Sequence, residues 1–300
     1  MKLSKQSCEI LQQGPGKLGL FKQIERGARV CYKSEDRITD TSYQGMLDML
    51  KANGHFSALE HGTVYLMVPL PAQAQKYLNN RYSRVNFDNA GYYITTNYRV
   101  ILEHDWEDDL KYLCELTNKH ARRVTVHFTS DIGVNREANR HRVNSICEES
   151  TIYCNYSKDK FGNEIKVSQP VWIDDYEIKH NHLVNADARS MFNMVGKGMD
   201  KIWTAVDYWL AANMAAEFFY MNLLRCGWKP KQARTILPLD TKSELIHTAY
   251  LDEWCNFFFW RCGEAHPQIK ALACELRELF IKEGCAPAEY FNQPKKLIKD

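Results

Sequence analysis

The period of the apolar residues changes along this chain, and that change limits the fold more than any other feature. In the first half, short runs alternate or are continuously β-branched. Thr63–Val68 (Thr-Val-Tyr-Leu-Met-Val) is one such run, closed by Pro69 and Pro71, which cannot donate to a sheet. Residues 92–102, rich in Tyr, Ile, Thr and Val, should contain a second strand, and 122–129 a third with Val124, Val126 and Phe128 on one face. Helical spacing is interleaved with these. Leu18, Leu20, Phe21, Ile24, Ala28 and Cys31 recur over 17–31 after the Gly14-Pro15-Gly16 break. Residues 41–52 read as a second helix, with Thr41 or Ser42 as N-cap and Gly54 past its end.

A short helix over 71–80 begins on proline, and a longer one over 105–120 sets Trp106, Leu110, Leu113 and Leu116 on one side. A helix from Asp131 would carry Arg136 and deliver Arg140 one turn later. Residues 145–157 should be partly irregular and 158–162 a turn. The last third reads as helix: one or two long helices over 187–226, another from Pro230 to Pro238, and two more over 242–260 and 267–283. No internal repeat or low-complexity linker divides the chain. The expected fold is α+β, a single domain over 1–300 with a mixed or antiparallel sheet packed by helices, strands in the first half and a mostly helical second half.

Composition narrows function by exclusion. With 45% hydrophobic and 25% charged residues the chain has the balance of a soluble globular protein, and a net charge of +2 provides no field for a nucleic-acid polymer. A small anion needs only a local arginine cluster, so anionic ligands remain open. The cysteines at 8, 31, 114, 147, 154, 226, 255, 262, 274 and 285 form no Cys-x-x-Cys pair. Spacings of seven (147 and 154, 255 and 262) suit helix faces better than zinc knuckles, so reduced thiols in a cytoplasm and no metal are expected. No signal peptide is expected in Met-Lys-Leu-Ser-Lys-Gln-Ser. The apolar stretch 209–224 contains Asn213, Glu217 and Asn222, which reads as a buried helix and not a membrane span.

Chemistry concentrates at 140–153: Arg-His-Arg-Val-Asn-Ser-Ile-Cys-Glu-Glu-Ser-Thr-Ile-Tyr. Arg140 and Arg142 offer forked donors for phosphate or carboxylate oxygens. Glu148 and Ser150 supply an acceptor and a hydroxyl of the kind a sugar or amide-bearing ring requires. A solvated charged face would mix charges at helical spacing; this run is followed instead by Ser, Cys, Ser and Tyr.

Arg140-His141-Arg142, seven residues and then Ser150 resembles the signature of the flavin-dependent thymidylate synthases. Further matches follow in order. Gly27-Ala28-Arg29-Val30-Cys31 is similar to an early Ala-Arg-Val-Ser segment, and Gly54-His55-x-Ser57-x-x-Glu60-His61 to one that touches flavin. Ala233-Arg234-Thr235-Ile236-Leu237-Pro238 resembles an Ala-Arg-x-x-Leu-Pro segment, and Asn256-Phe257-Phe258-Phe259-Trp260-Arg261 the one that follows it. The Phe-Phe-Phe-Trp run itself reads as the core side of an amphipathic helix. His61 is expected to order local backbone.

The resemblance implies reductive methylation of deoxyuridylate (dUMP) to dTMP, with 5,10-methylenetetrahydrofolate as carbon donor, FAD as cofactor and NADPH as reductant. It also implies homotetramers with shared sites. Residue by residue, it gives the flavin His55, Ser57, Arg140, His141, Arg142, Glu148, Tyr250, Asp252 and Asn256. To the nucleotide it gives Glu137, Arg140, Glu148, Glu149, Ser150, Thr151, Ile152, Arg234 and Arg261, with Arg261 and Ser150 catalytic. Two features depart from the family. Residues 72–130 form an insertion relative to compact members. Glu137 stands where glutamine is common, and Ile152 where arginine is common, each costing about 1–3 kcal/mol of nucleotide affinity if desolvated. Arg136 or Arg142 could compensate.

Methylating carbon 5 of uracil needs electron density there. A nucleophile at carbon 6 would supply it, and Cys147 is the candidate by position, although the family uses no cysteine there. A cation beside N3 would supply it instead, and Arg261 is the residue the resemblance points to. Two alternatives stand beside this reading: a paralogue acting on another pyrimidine nucleotide or carbon unit, and a flavin- or nucleotide-binding protein without turnover.

Overall fold

A computed structural model describes residues 1–197 and 203–291. The chain opens with strands β1 (Lys2–Ser4) and β2 (Ser7–Leu11), then helices α1 (Gly16–Tyr32) and α2 (Ser42–Ala52). Strand β3 (Thr63–Val68), helix α3 (Pro71–Leu78), the hairpin β4 (Arg84–Asp88) and β5 (Gly91–Asn97), and helix α4 (Tyr98–Glu103) come next. Then follow β6 (Arg123–Asp131), α5 (Ile132–Ala138), β7 (Ser145–Glu148), β8 (Lys166–Ser168), α6 (Asp175–His180) and α7 (Ala188–Lys197). The run ends with α8 (Ala205–Arg225), α9 (Pro230–Ala233), β9 (Lys242–Tyr250), α10 (Leu251–Arg261), α11 (Pro267–Lys282) and α12 (Ala288–Phe291). The molecule is thus a mixture of helices and small sheets.

Two compact units emerge, each built from separate stretches of chain. The larger holds 8–128, 138–149 and 244–300. Its β3 and β4 both pair antiparallel with β5, with Val64 opposite Thr96 and Val85 opposite Ile94. A four-stranded sheet in the order β2-β6-β9-β7 lies mostly in the same unit, with β7 antiparallel to β9 and Cys147 opposite Ile246. Leu20 and Ile24 of α1, Leu50 of α2, Leu59, Val64, Leu66, Ile94 and Ile246 are fully buried in one cluster. The smaller unit holds 1–7, 129–137 and 150–243. There β1 pairs parallel with β8, and α8 contributes Val206, Leu210, Ala211 and Met214 to a core with Leu183 and Met191. Thr204 and Asp207 cap α8 reciprocally, and Glu217 accepts from both the Met1 amino group at 2.7 Å and the Ile165 amide at 2.8 Å.

Most helices and the strands β3, β5 and β6 fall where periodicity puts them, but some expectations need correction. Residues 242–250 form strand β9 rather than the start of a helix; nearly every residue from Ser243 to Tyr250 is buried. A strand central in its sheet is buried on both faces, so it lacks the alternation that marks a half-buried strand. Strands are therefore not confined to the first half. The helix expected over 105–120 shrinks to a 3-10 segment, Glu107–Tyr112. Beyond it, Cys114 N donates to Tyr65 O at 2.9 Å, so the chain leaves helical geometry to satisfy the edge of β3.

The strand expected within 92–102 is there and runs to Asn97, whose side chain accepts from Val100 N and starts α4. The helix from Asp131 ends at Ala138, short of Arg140, which sits in the following turn. Residues 145–157 are partly irregular as expected, with 145–148 ladder-paired and turns beyond them. Of the long helices over 187–226, residues 198–202 lie outside the described residues.

Candidate active site

In the larger unit the signature turn is built by two backbone bonds: His141 N to Ala138 O at 3.1 Å and Asn144 N to His141 O at 3.3 Å. The turn holds Arg140 and Arg142 outward, exposed and without an ion pair or side-chain hydrogen bond among the described residues. His141 is half-buried against Phe257, ring centroids 5.0 Å apart. Arg261, the last residue of α10, donates from Nε to His141 Nε2 at 3.2 Å. Two motifs 120 residues apart therefore meet. Burial first, and the facing Arg261 second, hold the His141 imidazole down to a pKa of about 4, so it is neutral at neutral pH.

The turn then enters β7. Asn144 pairs its side-chain amide with His247 Nε2 at 2.7 Å, and Ser145 Oγ accepts from Arg123 at 3.0 Å. Glu148 accepts from Asn139 at 3.3 Å. Glu149 is buried, with its amide bonded to Glu244 O. Cys147 faces Ser57, Cys31 and Glu60, and burial followed by Cys31 pushes its thiol pKa well up. Burial thus disfavours the thiolate that a carbon 6 adduct through Cys147 would need.

The early motifs lie on α1 and on the 3-10 segment Phe56–His61. His55 is half-buried and shares a hydrogen bond with the Tyr32 hydroxyl. Ser57 is exposed. His61, expected to order nearby backbone, instead reaches Thr248 Oγ1 on β9 at 2.8 Å and is fully buried. At the other end of α10, Tyr250 gives its hydroxyl to the carbonyls of Thr95 (2.8 Å) and Tyr82 (3.0 Å). Asp252 pairs with Arg84 at 2.6 Å. Nine residues of helix at 1.5 Å each put Asp252 roughly 14 Å along the axis from Arg261. Asn256 lies between them and accepts from Trp260 Nε1 at 3.2 Å. The Phe-Phe-Phe-Trp run divides: Phe257 and Phe258 are buried, whereas Phe259 is 53% and Trp260 60% exposed. The core reading holds for the first pair only.

In the smaller unit Arg234 donates from Nη1 to Thr151 Oγ1 at 3.1 Å. Ser150 Oγ accepts from Ile152 N at 3.3 Å, and Ile152 itself is 44% exposed. Glu137 lies near the end of α5 in this unit, and Arg136 beside it is exposed. Residues that sequence reasoning missed are His247, Asn144 and Arg123. Asn144 lies inside the 140–153 run; His247 lies in a segment whose pattern resembles a helix.

Residues 115–287 match the family model described as thymidylate synthase complementing protein. The chain belongs to this family, the flavin-dependent thymidylate synthases. The matched range of the family includes Arg140 to Ser150, Arg234, Asn256 and Arg261; the segments 27–31 and 54–61 lie outside it. Similar solved structures include PolB, a UMP/dUMP methylase from Streptomyces cacaoi. Bound with 5-Br dUMP, PolB is 18% identical over 97% of each chain with a TM-score of 0.44. Bound with 5-Br UMP, it is 17% identical over 97% of this chain and 96% of its own, with a TM-score of 0.42. No curated protein matches the chain.

Two exposed guanidinium groups without carboxylate partners among the described residues have the chemistry to hold anionic oxygens. No helix among the described residues is long and apolar enough to cross a membrane.

Proposed function

We propose that the chain methylates carbon 5 of dUMP, giving dTMP, with 5,10-methylenetetrahydrofolate as carbon donor and NADPH as reductant. One observation carries the reading: the turn at 140–142 bears two exposed arginines, unpaired among the described residues, while its histidine is bonded to Arg261. FAD, when bound, supplies the hydride, and NADPH renews it.

The chain's own residues bind and polarise. Arg140 and Arg142 hold anionic oxygens, with His55, Ser57, Glu148, Tyr250, Asp252 and Asn256 completing the flavin's surroundings. Arg261 stands as a cation beside N3 of the uracil ring and favours its enolate-like form, each pKa unit removed from N3 being worth about 1.4 kcal/mol. Ser150 orients the ring. Arg234, steadied by Thr151, takes the nucleotide phosphate, with Glu137, Glu149 and Ile152 bordering the same nucleotide. The assembly is a cytoplasmic homotetramer in which neighbouring protomers share sites.

The test is tritium release from carbon-5-labelled dUMP, given 5,10-methylenetetrahydrofolate and NADPH, by protein carrying flavin absorbance. Release with formation of dTMP is expected, and flavin-loaded protein that releases none overturns the proposal. A second reading rests on Ile152, which cannot donate where the family commonly has arginine: the preferred nucleotide is then another pyrimidine. The same assay with UMP and dCMP beside dUMP decides between them by relative kcat/KM.

A further inference from the structure

We infer that His141 is a positioning residue: a neutral imidazole whose Nε2 accepts from Arg261 Nε and so fixes the plane of that guanidinium. Arg261 Nε carries a hydrogen and no lone pair for bonding, so at 3.2 Å it can only donate. The lone pair must then sit on His141 Nε2, which places the ring's single proton on Nδ1. An imidazolium would set two cations face to face and would have no acceptor to offer.

The surroundings agree from each element packed on the ring. From α10 come Arg261 and the Phe257 ring at 5.0 Å. From β9 comes His247, fully buried and itself held neutral, chiefly by burial. On the turn, Arg140 and Arg142 are its chain neighbours, with their side chains exposed. Burial and then Arg261 set the direction of its pKa, and no carboxylate is among the causes. The ring is itself held in place. Its backbone is pinned by the Ala138 and Asn144 bonds, and Asn144 is anchored to His247 at 2.7 Å.

An arginine at a helix terminus has four side-chain torsions to lose, and a planar fork is useful to a planar ring only in one orientation. A hydrogen bond at Nε settles that orientation before substrate arrives. On this account the signature histidine serves Arg261 directly, and neither phosphate nor flavin needs to touch it. Arg261's part in turnover is taken from the function proposed above; the hydrogen bond does not depend on it.

Two measurements test this. Ring-15N histidine labelling at pH 7, with His141 assigned through its loss in His141→Gln, should show a neutral ring protonated on Nδ1. A cationic ring, or one protonated on Nε2, overturns the inference. In the tritium-release assay, His141→Gln keeps an acceptor oxygen and should stay within about tenfold of the parent kcat. His141→Leu should lose about 100-fold in kcat while KM for the nucleotide moves less than about threefold, and adding Arg261→Ala to it should cost nothing more. Equal losses in the Gln and Leu variants overturn the positioning role. A parent protein inactive on dUMP refutes the proposed function alone, and the ring's tautomer then decides the hydrogen bond.

Discussion

Cys147 and Ile152 bracket the chemistry of the signature from opposite directions. Cys147 is adjacent to Glu148 in sequence, yet its side chain is 6% exposed and burial disfavours its thiolate. Cys147→Ala should therefore keep turnover within about threefold, and lower stability by about 1 kcal/mol through the small cavity left behind. Loss of turnover in a variant with near-parent stability would return the thiol to the mechanism. Ile152, 44% exposed, occupies the place of a family arginine. Ile152→Arg should tighten dUMP by roughly tenfold, a gain of 1–2 kcal/mol for a charge-assisted phosphate contact, measured by calorimetric titration. Unchanged affinity would show that the phosphate does not lie near this position. The arginines and Ser150 were legible at this scale because residue type and spacing carry the signature. His247 was not, since a lone histidine in an apolar run has no signature of its own.

Helix α1 shows how an element can be readable while its placement is not. Apolar spacing gives its span almost to the residue, but not the contact at its start. A Cβ on Gly19 would lie 1.8 Å from Gly14 O, a backbone atom that cannot swing away. Helix propensity alone favours Gly19→Ala by about 1 kcal/mol. The backbone clash is larger, so the substitution should destabilise by about 2 kcal/mol or more, read from the urea midpoint. A stabilised variant would mean that the 14–16 turn is free to move. Strand β9 fails in the opposite way: its pattern is clear but ambiguous. Only its place between β6 and β7 explains why both faces are buried although Ser243, Glu244, His247 and Thr248 are polar.

Across the molecule, buried histidines set the response to acid. His61 is held to a pKa of about 3 by burial and then Arg123, and His247 is held well below its ordinary value by burial and then His141 and His61. Both stay neutral in the fold while the unfolded chain binds protons below about pH 6.5, so their contribution is complete above that pH and is lost as pH falls. His127 acts in the other direction: burial opposes its charge, but hydrogen bonds to Glu244 and Glu9 outweigh it and raise its pKa. Its contribution is complete in acid and lost as pH rises through its raised folded value. His141 and His120 are lowered as well, chiefly by burial, so the lowered rings outweigh His127 and leave a net loss toward acid, each fully buried ring contributing about 1.4 kcal/mol per pH unit below 6.5. Urea midpoints should drop steeply between pH 6 and 4.5, and less steeply in His247→Gln. A pH-independent midpoint would contradict the neutral buried rings.

Sequence by itself determined the candidate residue types, the order of the motifs and the spans of the strongly periodic elements. These depend on local spacing and on side-chain properties that do not change with context. Tertiary structure alone decided that Arg261 meets His141, that Cys147 is sealed from solvent and that His61 reaches Thr248. Those facts follow from which faces of α10, β7 and β9 pack together. Packing is settled by burial over the whole fold, and no local window of sequence contains it.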